Sequence, residues 1–198
     1  MPAPKGVRSF VAVDLPADLR ARLRGLGQEL ERRSPPGSVR WARPEGIHLT
    51  LKFLGDVPAA ELPPISEFLA GAARRSPAFR VSVAGLGCFP NVRRPRIVWV
   101  GVEDSTGALR RLQAEIEAGL ERLGHPKEDR PFSPHLTLGR LRQEAGGAAP
   151  DVGAAVESSP VPSLGEIPVQ TVCLFRSDLR PGGAVYSVQG QFPLEGQT

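Results

Sequence analysis

At 198 residues, with 40% hydrophobic and 23% charged side chains, the chain has the composition of one soluble globular domain or of two small lobes sharing a core, which excludes a disordered or fibrous class. No apolar run approaches the roughly 18 residues needed to span a membrane, and the opening Met-Pro-Ala-Pro-Lys-Gly-Val-Arg lacks the apolar segment of a secretory signal, so neither insertion nor secretion is expected. The net charge of +4 favours an anionic partner; of the 25 basic residues only Lys5, Lys52 and Lys127 are lysines, and the arginine excess reads either as phosphate recognition or as a compositional bias that replaces lysine everywhere.

In chain order, residues 9–15 read as a strand, and 16–33 as a helix with Leu19, Leu23, Leu26 and Leu30 at helical spacing. Ser34-Pro35-Pro36-Gly37 is a turn, 39–41 is extended, and 47–54 (Ile-His-Leu-Thr-Leu-Lys-Phe-Leu) is a second strand. A helix is expected over 59–75. Residues 79–84 alternate as a strand and 96–102 form another around Trp99, with a Gly- and Pro-rich loop containing Cys88 between them, as in a hairpin. The amphipathic pattern returns at 108–123 and stops before Pro126 and Pro131. A strand at 135–141 follows. The composition of 143–159 suits either a short helix or a mobile surface loop, and 169–175 with 184–192 form a closing pair of strands joined by Arg180-Pro181-Gly182-Gly183.

One feature rises above this background. Arg43-Pro-Glu-Gly-Ile-His48-Leu-Thr-Leu is echoed by Arg130-Pro-Phe-Ser-Pro-His135-Leu-Thr-Leu, nearly half the chain later, and two of the three histidines carry the same following tripeptide. Each copy follows a helix and precedes more β structure, which is the signature of an internally duplicated fold. In a strand, residues two apart share a face and lie roughly 7 Å apart. His48 and Thr50 therefore point one way while Leu49 and Leu51 point the other, and the same holds for His135 with Thr137. The leucines can bury in each lobe, leaving the histidines and threonines to meet in a groove between lobes.

Such a constellation suits displacement at phosphorus, where entering and leaving oxygens stand in line on opposite sides. Two imidazoles from two lobes can serve both sides, one neutral as base and one protonated as acid. The threonine hydroxyls can donate to non-bridging phosphoryl oxygens, and Arg130 and Arg140 are candidate clamps for the anion, each weighed against an ordinary solvated charge. His125, in Gly-His-Pro before a turn, reads as structural. There is no His-Glu-x-x-His and no Cys-x-x-Cys, so neither a catalytic metal nor another cofactor is expected. Cys88 reads as a small buried hydrophobe, and Gly85-x-Gly87 lacks the remainder of a dinucleotide fingerprint. Cys88 and Cys173 alone make no disulfide framework and fit a reducing compartment, so the cytoplasm is the expected location.

At these residues the sequence resembles the two-histidine (2H) phosphoesterase superfamily, marked by two His-x-Thr-x motifs, and within it the RNA 2′,3′-cyclic phosphodiesterase family, formerly called 2′-5′ RNA ligases. The similarity extends to Phe10-Val-Ala-Val-Asp-Leu-Pro16, His48 to Gly55, Arg96-Ile-Val-Trp99, and Ser177 to Tyr186. It implies an α+β fold: one bilobal, internally duplicated domain over 1–198, with two antiparallel sheets facing a central groove, helices outside, and one motif (48–51, 135–138) on each lobe. It further implies hydrolysis of RNA 2′,3′-cyclic phosphate ends to 2′-phosphates, with His48 protonating the departing 3′ oxygen and His135 activating water, and a side activity joining RNA ends in a 2′-5′ linkage. RNA ends or cyclic-phosphate nucleotides are the expected partners, and the expected state is a monomer. Two rival readings stand beside this: a cyclic phosphodiesterase for a small nucleotide such as an ADP-ribose cyclic phosphate, and a non-catalytic module that binds RNA ends.

Overall fold

Helix α1 (Ala17–Arg33) buries Leu19, Leu23, Leu26 and Leu30 and leaves its charged positions in water, the arrangement that its three- and four-residue spacing dictates. In a computed structural model, which describes residues 6–160, 163–180 and 183–196, α1 follows β1 (Val7–Val13) and precedes β2 (Val39–Trp41) and β3 (Leu49–Val57). Next come α2 (Leu62–Arg75), entered through one 3-10 turn, then β4 (Phe79–Phe89), β5 (Ile97–Glu103), α3 (Ala108–Arg122) and β6 (His135–Leu141). The chain closes with α4 (Ala149–Glu157), β7 (Ser163–Val169), β8 (Thr171–Arg180) and β9 (Gly183–Pro193). Among the described residues no helix is long and apolar enough to cross a membrane.

The strands form two antiparallel sheets, β3-β1-β8-β9 and β2-β6-β5-β4-β7. Helices α2 and α3 cover the first, and α1 and α4 cover the second. Each sheet takes strands from both halves of the chain, and the helix of one half lies over the motif strand of the other: α1 packs near β6, α3 near β3. The halves are thus interleaved rather than separate, and one hydrophobic cluster runs through Leu19, Leu49, Leu69, Leu112, Leu136 and Val156. Burying a leucine of this kind stabilises the fold by about 1.5–3 kcal/mol, and this cluster draws its leucines from both halves of the chain.

Two segments depart from the sequence reading, and a third takes one of its two alternatives. The loop expected around Cys88 is strand, because β4 runs on to Phe89 and pairs with β5 through a register shift between Val83 and Leu86. Gly85 takes up that shift with φ of 83°, a conformation glycine adopts without a Cβ clash. Residues 143–159, open to two readings, hold a 3-10 stretch and then α4, which buries Val152 and Val156. Strand β7 was hidden by Gly165 and Pro168; it lies at the sheet edge beside β4, where a proline's missing N–H costs no ladder bond. In the turn expected at 180–183, Arg180 pairs with Gly183 across β8 and β9, while Pro181 and Gly182 lie outside the described residues.

Candidate active site

Both motifs share one backbone irregularity that strict alternation does not anticipate. In β3, Thr50 pairs with Ala12 and Lys52 with Val11, so Leu51 has no partner. In β6, Thr137 pairs with Trp99 and Gly139 with Val98, so Leu138 has none. An extra residue in one strand of an antiparallel pair is a β-bulge, and beyond it every side chain changes face. Leu49, Leu51, Leu136 and Leu138 are buried as expected. Past the bulge, however, Lys52 and Gly139 turn toward the core side, while Phe53 and Arg140 rejoin the face of the histidines and threonines.

Lys52 shows the consequence. It is fully buried and its Nζ pairs with Glu117 Oε1 of α3 at 2.5 Å while donating to the Pro126 carbonyl at 2.8 Å. Gln113 Nε2 donates to Glu117 Oε2 and to the carbonyl of Leu51, the bulged residue itself. A buried charge is tolerable only when paired and hydrogen-bonded, and this network meets that demand while holding the bulge.

His48 stands immediately before β3 in an aromatic box. Its ring stacks on Phe10 (centroids 4.5 Å apart) and meets the edge of Tyr186 at 5.0 Å, with Phe175 stacked beyond Phe10. Burial among these rings pushes its pKa down to about 4; a hydrogen bond to the Gly46 carbonyl and the Asp14 carboxylate oppose the shift, and Arg140 and Arg20 add to it. Asp14 and Arg20 are themselves an ion pair. His135 opens β6. Its Nδ1 bonds the Ser133 carbonyl at 2.7 Å, and Phe89 approaches edge-on at 4.9 Å, with Trp99 tilted behind Phe89. Burial lowers its pKa too, the Ser133 bond opposes, and Arg140 adds to the lowering. Each histidine thus contacts the carbonyl two residues before it. At His135 this bond occupies Nδ1 and leaves Nε2 free for a proton transfer.

Strands β3 and β6, one from each sheet, approach within 8 Å Cα to Cα, and the charge of Arg140 is felt by both imidazoles. The fold therefore sets the two motif strands side by side with Arg140 in electrostatic range of both imidazoles, and Thr50 and Thr137 follow the histidines along those strands. Arg130 is placed otherwise: it lines a recess with Leu51, Gln113, Glu117, Lys127, Glu128 and Phe132, on the α3 side. His125 is buried, with its Nε2 3.5 Å from a Glu61 carboxylate oxygen. Cys88 and Cys173 are buried free thiols pushed up to about 11 by that burial, which leaves them unreactive at neutral pH. Gly87 has a packing role: a Cβ there would come within 2.5 Å of the Trp99 ring. Sequence reading did not single out Phe10, Tyr186, Phe89 or Asp14 as site residues. The available signal was the alternation of β1, where Phe10 and Ala12 leave the core face that Val11 and Val13 occupy.

A family model described as LigT like Phosphoesterase matches the chain twice, over residues 13–99 and 100–186. An RNA 2′,3′-cyclic phosphodiesterase of Archaeoglobus fulgidus is 36% identical over 91% of this chain and 96% of its own length. One of the same name from Thermus thermophilus is 36% identical over 96% of this chain and 92% of its own. Among solved structures, a protein of Thermus thermophilus superposes with a TM-score of 0.81 at 33% identity, covering 96% of this chain and all of that one. LigT of E. coli, solved in complex with 3′-AMP, gives 0.77 at 27% identity, covering 96% and 99%.

Proposed function

Because this chain belongs to the LigT-like phosphoesterase family, we propose that it hydrolyses RNA 2′,3′-cyclic phosphate ends to 2′-phosphates, with His48 as acid and His135 as base. The observation that carries the reading is the duplicated His-Leu-Thr-Leu strand with its duplicated bulge, presented from two sheets with one arginine in electrostatic reach of both imidazoles. Neutral at pH 7, His135 takes a proton from water as the water oxygen bonds to phosphorus. The bond to the 3′ oxygen breaks, and His48 delivers a proton to that oxygen. Thr50 and Thr137 donate hydrogen bonds to the two non-bridging oxygens, and Arg140 offsets their charge.

The low pKa of His48 bears on this step. Burial makes its imidazolium a strong acid, which favours proton transfer to a poor leaving group, and the incoming phosphate anion joins Asp14 in recharging it. A 5′-hydroxyl in place of water would give the 2′-5′ linkage. We take the enzyme to be a single domain across 1–198, acting as a cytoplasmic monomer.

Product analysis on an oligonucleotide ending in a 2′,3′-cyclic phosphate, run in excess EDTA, tests the reading. Quantitative conversion to the 2′-phosphate is expected, since the residues named account for both protons and the charge. Loss of activity to the chelator with rescue by a divalent ion, or a 3′-phosphate product, would overturn it.

A further inference from the structure

Three segments, 38–43, 91–96 and 139–142, hold seven of the chain's arginines and no Asp or Glu. The fold gathers six of them, all but Arg43, at one end of the five-stranded sheet. Arg40 lies directly opposite Arg140 across β2 and β6, and Ile97 flanks Arg140 from β5. The Leu141 N–H donates to the Arg96 carbonyl, and the Arg142 N–H donates to the Ser38 carbonyl, both at 2.9 Å.

We infer that this end is a track for the RNA chain that leads into the groove, so that the preferred substrate is an oligonucleotide rather than a free cyclic nucleotide. The inference rests on the cyclic-phosphate reading above. Its first support is charge pairing. Seven arginines elsewhere, from Arg20 on α1 to Arg176 on β8, lie within 4.0 Å of a carboxylate. Among the described residues Arg40, Arg93, Arg94, Arg96, Arg140 and Arg142 have no such partner. Of the fifteen arginines outside these segments seven are so paired and eight are not, against none of the six here, a concentration of unpaired charge at one place. Like charges directly opposite on paired strands destabilise a sheet, and a polyanion laid along Arg40 and Arg140 relieves that repulsion.

The second support is continuity with the site. The charge of Arg140 is felt by both imidazoles, and the turn 90–96 begins at Phe89, whose ring meets His135 and whose carbonyl accepts the Arg96 N–H at 2.7 Å. The third is preorganisation. Asn91 Oδ1 accepts the N–H groups of Arg93 and Arg94, each at 3.1 Å. Val92 lies so close to α4 that a Cβ on Gly153 would come 1.8 Å from its carbonyl oxygen. A turn fixed in this way loses little entropy on binding.

The test compares wild type with R93A/R94A/R96A and with the lysine triple variant. Substrates are a single-stranded oligonucleotide ending in a 2′,3′-cyclic phosphate and a nucleoside 2′,3′-cyclic phosphate. Equilibrium binding of the matching 2′-phosphate oligonucleotide is measured across salt concentrations. The alanine variant is expected to bind the oligonucleotide at least about tenfold more weakly, with a log–log salt slope shallower by about 2. Its kcat/KM on the mononucleotide should stay within about twofold of wild type, since the phosphate contacts it removes lie outside the groove. The lysine variant should keep the slope. Unchanged affinity and slope, or equal losses on both substrates, would overturn the inference; so would capture by anionic lipid vesicles with RNA affinity unaltered. If wild type hydrolyses neither substrate, the cyclic-phosphate reading fails on its own, while the binding measurement still decides the track.

Discussion

His48 and His135 stand at the starts of equivalent strands, one just before β3 and one opening β6, contact equivalent carbonyls and precede equivalent bulges, yet their surroundings differ. Phe10 and Tyr186 enclose His48, and its pKa falls to about 4, while His135 meets Phe89 at one edge. Past the bulge the divergence widens. The first motif buries Lys52 against Glu117, whereas the second places Gly139, where a Cβ would come within 2.6 Å of Val39 Cγ1. Duplication supplies a symmetric backbone, and the packing around it gives two chemically alike side chains different surroundings.

The largest expected break in the symmetry of the site comes from His135→Ala, which should lower kcat on a cyclic phosphate end about 10²- to 10⁴-fold with no change in thermal unfolding. A variant that unfolds at wild-type temperature but retains wild-type turnover would remove His135 from the reaction. For stability the halves should differ. Glu117→Ala leaves Lys52 buried without its carboxylate and should cost about 3–5 kcal/mol by denaturant unfolding. Gly139→Ala, which forces a small overlap instead, should cost about 1–3 kcal/mol. Equal costs would mean that Lys52 has found solvent.

Thr50→Ala and Thr137→Ala sharpen the comparison from the other side, because here the halves should agree. Each should lose about 2–4 kcal/mol of transition-state stabilisation in kcat/KM. A loss at one position alone would show that only one non-bridging oxygen is held.

The smallest effect is in the pH profile. With both histidine pKa values below 6.5 and a cationic His48 required, kcat/KM should fall about tenfold per pH unit above neutrality. Phe10→Ala, by admitting water to the ring, should move that limb upward; a profile flat to pH 8 in wild type would contradict the assignment. The same depressed pKa has a consequence for stability. Below 6.5 the unfolded chain takes up a proton that buried His48 refuses, so stability drops as pH falls from 6.5 toward 4, by about 3 kcal/mol at most.

The repeat made both motifs legible in the sequence, and helical spacing did the same for α1 and α3. What stayed hidden depends on register and long-range packing. A bulge leaves no mark on alternation within one strand, so the turning of Lys52 to the core and of Arg140 to the groove could not be read from residues 48–55 or 135–142. Arg130 repeats Arg43 in sequence, but a loop residue has no fixed face, and it lines the recess beside α3. Phe10 and Tyr186 flank His48 from strands at opposite ends of the chain, a proximity that only the β1–β8–β9 pairing creates.

The division of labour between the histidines is tested most directly with a nitrophenyl phosphodiester, whose leaving group needs little protonation. His48→Ala should be impaired about 10²- to 10⁴-fold on the RNA cyclic phosphate and far less on the activated ester, while His135→Ala should be severely impaired on both. Equal losses for His48→Ala on the two substrates would contradict its role as the acid, and rescue of His135→Ala by the activated ester would reverse the assignment.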